Sequence, residues 1–131
     1  MRKSLVVAAL LVGLVAAPAQ GKVVGIDASP NPAVVGDRVR HTVEVGAVAR
    51  LDVWVSAVGF QAPGSGTLPP GTWSLECCPS QTLGTSAWHY RSLGVVAPGS
   101  YRFNAVAKAR GTFLSTAMVA GSTASVTIRI G

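Results

Sequence analysis

Between Trp73 and Tyr90, eighteen residues hold Trp73, Cys77, Cys78, Trp88, His89 and Tyr90, a dense grouping of chemically versatile side chains. Indole and phenol rings offer flat faces that stack on a sugar ring, and sulfur adds a polarizable wall. A ligand-binding patch built from these six residues is therefore the sharpest expectation, with carbohydrate as the ligand class. The competing expectation is that Trp73 and Trp88 fill a core, because aromatic side chains dominate interior packing.

Cys77 and Cys78 are the only cysteines, and they are adjacent. Their Cα atoms must lie about 3.8 Å apart across a trans peptide, below the roughly 4.4 to 6.8 Å of a relaxed disulfide. A vicinal bond would be strained and easily reduced, and it would close no loop. Free thiols and bonds to another chain stand beside it, and the last would make this a structural protein assembled through Cys77 or Cys78. A metal held by Cys77, Cys78 and His89 would need a fourth ligand from His41 or an acid. Zinc sites space their cysteines by two to four residues, so no metal and no cofactor is expected.

Catalytic motifs are missing: the chain has no G-x-S-x-G, no H-E-x-x-H and no phosphate loop. Its five acids, Asp27, Asp37, Glu44, Asp52 and Glu76, show no paired arrangement. Cys78 with His89 leaves a Cys-dependent enzyme as the lesser alternative, and the expectation is a non-catalytic protein. A second binding surface is expected if the last two long strands pair. Arg102, Lys108 and Arg129 would then share the outer face of one sheet, with Arg110 just beyond, as a basic stripe for an anionic envelope polymer. An ordinary solvated face competes with it.

Eleven basic and five acidic residues give a formal charge of +6. Setting aside Arg2 and Lys3 leaves nine against five, a formal +4, with no run of five or more basic residues. Nucleic acid is not the expected partner; a carbohydrate, an anionic envelope polymer or another protein is.

The elements that position these residues follow a leader. Met1-Arg2-Lys3 is cationic, Leu5 to Ala17 is an apolar run of thirteen residues, and Ala17-Pro18-Ala19 offers small residues for cleavage. Such a run is shorter than the roughly 20 residues a spanning helix needs. A signal peptide over 1–19 is expected, with a mature chain from Gln20 that is exported, to the cell envelope or outside, and has no membrane span. Residues 20–131 are one domain's length.

In the mature part, Val- and Thr-rich runs with period-2 alternation are separated by Gly, Pro, Asn and Ser, so the fold class is all-β. Val23 to Ala28 is a first strand. In Arg38 to Val45, the side chains of Val39, His41, Val43 and Val45 face the core. Leu51 to Val58 is apolar on much of both faces, as suits a central strand. Gln61 to Thr72, with three prolines and three glycines, reads as a mobile surface loop. Trp73 to Cys77 and Ala87 to Val96 are further strands, the second interrupted at Gly94. In Ser100 to Lys108, Tyr101, Phe103, Ala105 and Ala107 point inward, Tyr101 as a corner or core residue. Gly111 to Ser122 reads as irregular, and Thr123 to Ile130 closes the chain.

About seven short strands without helices suit two packed antiparallel sheets. Ser29-Pro30-Asn31-Pro32, Gly36 and Val39 to Val45 resemble the first-to-second strand junction of bacterial immunoglobulin-like repeat domains. Ala97-Pro98-Gly99-Ser100-Tyr101-Arg102-Phe103 is similar to the turn and sixth strand of those domains and of their polycystic-kidney-disease-type relatives. The resemblance implies an immunoglobulin-like sandwich. It also implies that Val43 and Ala105 stand where antibody-type domains place their bridging cysteines, and that Trp54 takes the place of their buried tryptophan. The function expected is a secreted binding or adhesion module.

Overall fold

Proline and glycine punctuate the chain into short β-prone runs, and those runs become strands wherever one face can be buried. The computed structural model describes residues 23–64, 66–69, 71–77 and 87–131. The leader expected over 1–19 and Cys78 lie outside them. The strands are β1 (Val24–Ser29), β2 (Arg38–Val45), β3 (Ala49–Ser56), β4 (Ser74–Cys77), β5 (Ala87–Val96), β6 (Gly99–Val106), β7 (Gly111–Val119) and β8 (Ser122–Ile130). They form two antiparallel sheets, of order β1-β2-β6 and β4-β5-β3-β7-β8.

Alternation decides which side chains are dry. On β2, Val39, His41, Val43 and Val45 are buried while Arg38, Arg40 and Glu44 are exposed. On β6, Phe103 and Ala105 are buried opposite Arg102 and Asn104, and Tyr101 donates from its hydroxyl to the Ala97 carbonyl at 2.5 Å. Leu51, Val53 and Val55 of β3 meet Ala117 and Val119 of β7 and Ile128 and Ile130 of β8 in one cluster between the sheets. Each of the valine, leucine and isoleucine side chains contributes roughly 1.5 to 3 kcal/mol by leaving water.

Four expectations change. Gly111 to Ser122 is not irregular: it holds all of β7 and joins β8 through the two-residue turn Ala120-Gly121, whose φ values of 49° and 81° are both positive. Ala87 to Val96 is one continuous strand, and the irregularity near Gly94 is a bulge opposite Leu51 and Asp52. The run from Gln61 is no free loop, because Gln61, Gly64 and Thr67 donate their amides to the carbonyls of Val106, Asn104 and Arg102. These bonds cover the open edge of β6, which would otherwise expose unpaired backbone groups. Finally, β6 pairs with β2 within one sheet, and Val39 stands opposite Ala105. Val43 and Ala105 therefore share a sheet instead of facing each other across the sandwich.

A short strap ties the two sheets where the chain leaves β1. Ala33 pairs in parallel with Ile130. The Ala33 amide donates to the Arg129 carbonyl and the Gly131 amide to the Ala33 carbonyl, both at 2.8 Å. Asn31 extends the strap through its side chain, donating from Nδ2 to the Thr127 carbonyl at 2.8 Å and accepting the Arg129 amide at 3.2 Å.

Candidate functional site

Pairing of β3 with β5 fixes where the expected patch goes. Trp54 stands opposite Tyr90, Val55 opposite His89, and Ser56 opposite Trp88. Val55 is a core residue, so His89 points inward while Trp88 and Tyr90 take the outer face with Trp54. The six-residue grouping is thus divided by strand alternation.

On the inner side, His89 is buried and its Nε2 lies 2.9 Å from the Phe60 carbonyl oxygen. A carbonyl only accepts, so Nε2 carries the proton and donates. Trp73 packs against Phe103 with centroids 5.2 Å apart, and the Arg91 guanidinium lies 5.9 Å from the Trp73 ring centroid. Arg91 itself is buried and donates from Nη2 to the Pro69 carbonyl. Gly71 lies directly on this guanidinium, where a Cβ would come within 2.8 Å of Nη2. His89, Trp73 and Arg91 therefore hold the segment that precedes β4 beneath the sheet, with His89 buried and Trp73 half-buried against the core. Cys77 ends β4; Cys78 lies outside the described residues, and with it the Cys78–His89 pair.

The outer face of the five-stranded sheet holds a different constellation. Trp54 and Tyr90 rings stand 5.1 Å apart at 33°. The Tyr90 hydroxyl donates to Asp52 Oδ1 at 2.7 Å, and Arg50 Nε lies 3.3 Å from Asp52 Oδ2. Desolvation and then the Asp52 carboxylate push the Tyr90 hydroxyl above its ordinary pKa of 10.0, so it stays a donor across physiological pH. The Tyr90 ring is half-buried and Arg50 is exposed, whereas Trp54 is buried. Trp88 is on the same register but buried, and Thr116 and Ser125 join their hydroxyls at 2.9 Å further along the face. This places an aromatic ring, a carboxylate and a guanidinium within one step of each other.

Trp54 is a correction. It is buried, as the immunoglobulin resemblance implies, but not between the sheets, because it lies in register with Asp52 and Ser56 and opposite to core-facing Val53 and Val55. Asp52, Arg50 and Trp54 were not singled out from the sequence as site residues. The signal that finds them is parity: once β3 and β5 pair, Asp52 and Trp54 share a face with Tyr90.

The expected basic stripe is also divided. Arg102 is on β6 in the three-stranded sheet, Arg129 on β8 in the other, and β6 and β8 do not pair. Arg102 instead joins Arg38 and Arg40 of β2 on the outer face of the three-stranded sheet.

No protein-family model and no curated protein matches the chain. Among solved structures, that of BslA, a bacterial hydrophobin, aligns over 82% of this chain and 98% of that chain, at 10% identity and a TM-score of 0.48. A likeness that weak carries no argument about this chain.

Proposed function

We propose that this chain is a secreted, non-catalytic binding module of immunoglobulin-like connectivity that takes carbohydrate on the outer face of its five-stranded sheet. The connectivity reading is supported by β2 beside β6 in one sheet and β3-β7-β8 in the other, the arrangement that immunoglobulin domains give to strands B and E and strands C, F and G. Export is supported by the cationic Met1-Arg2-Lys3 and the apolar run from Leu5 to Ala17, the pattern expected of a signal peptide.

The binding reading rests on the half-buried Tyr90 ring, packed on the buried Trp54, with Asp52 and Arg50 alongside. Aromatic faces bind the C–H faces of a sugar ring, while a carboxylate and a guanidinium take its hydroxyls by charge-assisted hydrogen bonds. Asp52 already orients the Tyr90 hydroxyl, so less ordering remains to be done on binding.

Tryptophan fluorescence titrated against a panel of neutral oligosaccharides tests this, with wild type beside Tyr90→Ala and Asp52→Asn. At least one glycan should give a saturable change, weakened about tenfold or more in Tyr90→Ala, equivalent to about 1.4 kcal/mol. A panel that leaves wild-type fluorescence unchanged, or affinities equal in all three proteins, overturns the reading.

A further inference from the structure

Two strands bring three guanidinium groups to one end of the three-stranded sheet. Arg38 and Arg40 are two residues apart on β2, which sets their Cα atoms about 7 Å apart on the same face. Arg40 stands opposite Asn104 of β6, and Arg102 is one diagonal step away, opposite Thr42. All three arginines are exposed, and among the described residues none lies within ion-pair distance of a carboxylate. Of the acids on this face, Glu44 sits toward the other end, where it accepts from the Ser100 hydroxyl at 2.6 Å, and Asp27 stands on β1 across Thr42 from Arg102, outside the grooves described next.

The surface between these arginines is concave. One groove of about 350 Å³ is lined by Ser29, Arg38, Arg40 and Asn104. An adjoining groove of about 240 Å³ runs past Arg40, Asn104, Arg102 and Thr67. Arg40 and Asn104 line both, so the two form one track across β2 and β6. The track is rigid, because the Arg102 amide donates to Thr67 Oγ1 at 2.8 Å and the Thr67 amide to the Arg102 carbonyl at 2.7 Å.

We propose that this track binds an acidic polysaccharide, a chain whose sugar rings carry carboxylate or sulfate groups. Planar guanidinium forks match carboxylate and sulfate oxygens two at a time. Asn104 and Ser29 between them supply hydrogen-bonding groups for ring hydroxyls. The outward residues of this face include no aromatic side chain to stack a nucleobase. A lipid surface would call for exposed apolar anchors, whereas the exposed side chains along the track are arginine, serine and threonine, Phe103 beneath it is fully buried and Val106 beside Arg38 is only partly exposed. The track and the Tyr90 face lie on different sheets, so the two sites succeed or fail separately.

Immobilised heparin serves as the sulfated probe, with uncharged dextran, double-stranded DNA and vesicles containing one anionic lipid as comparison arms. Wild type should be retained on heparin at low salt and not on dextran. The triple variant Arg38→Gln, Arg40→Gln, Arg102→Gln should bind heparin about tenfold or more weakly, with a shallower dependence on salt. The single charge reversal Arg40→Glu, at the residue common to both grooves, should give most of that loss. Arg129→Gln on the other sheet should bind within about twofold of wild type, since exposed charges elsewhere contribute little. Circular dichroism confirms that each variant is folded. Co-elution of the triple variant with wild type overturns the proposal, as does failure of wild type to bind heparin, or binding to DNA or vesicles as tight as to heparin.

Discussion

His41 is buried completely between the sheets, its ring stacked on Phe103 at 4.9 Å and edge-on to Phe60 at 5.4 Å. Neither ring nitrogen has a hydrogen-bond partner among the described residues. Burial disfavours the charged form and lowers its pKa from 6.5 to about 4. The folded protein thus keeps His41 neutral where the unfolded chain takes up a proton. The stability this contributes is complete above pH 6.5 and is lost as pH falls toward 4. Urea unfolding should show wild type losing about 2 kcal/mol from this residue between pH 7 and pH 5. His41→Phe keeps a ring on Phe103 and removes the titration, so its stability should change far less over that interval. Equal pH dependence in both proteins would show that other groups set it. Alternation alone placed His41 inward in the sequence. What it did not show is that both nitrogens go unpaired, since that depends on what the opposite sheet brings.

The run from Gln61 works as an element although it is not a strand. It holds the edge of β6 through three amides, and Gly66 brings it close enough to do so. Gly66 has φ +54°, and a Cβ there would come within 2.0 Å of the Arg102 carbonyl oxygen. The obstacle is backbone and cannot turn aside. Gly66→Ala should therefore cost about 2 to 3 kcal/mol by combining strain with lost edge bonds. Faster hydrogen exchange at the amides of Gly64 and Thr67 would locate that cost, and an unchanged pattern would contradict it. Composition pointed to a free loop here because prolines and glycines mark turns; which strand edge lay open to receive them is a long-range fact. β7 escaped for a related reason. Its inward row, Phe113, Ser115, Ala117 and Val119, includes a buried serine, and its outer row includes Leu114 and Met118, so neither period stands out. The candidate site shows the opposite case. Trp88, His89 and Tyr90 are consecutive in a strand, so His89 must turn away from the other two. That division was legible in the sequence; counting residue density without parity obscured it.

At the scale of the molecule, β2 and β6 from one sheet and β3, β7 and β8 from the other share a single interior, with Phe60 and Phe103 among its largest fully buried side chains. Phe103→Ala should cost about 3 to 5 kcal/mol. Because the sheets share one core, the loss should lower a single calorimetric transition without splitting it; two resolved transitions would show that the sheets melt separately. The all-β class and the inward rows of β2, β6 and β8 were readable from period-2 patterns. Which strand lies beside which was not, and that is why Arg102 was grouped with Arg129 and not with Arg38 and Arg40. Strand order is set by contacts between residues far apart in sequence, and local pattern is silent about them.

The strap at Ala33 bears on how the domain answers a mechanical load. Ala33 and Ile130 run parallel, with bonds at Arg129 and Gly131 and the Asn31 amide adding two more. Drawing the chain upstream of Asn31 away from the chain at Gly131 slides the two strands along each other, so the bonds bear the force together and do not peel apart one after another. A module anchored at one end and tethered at the other would hold its shape under drag.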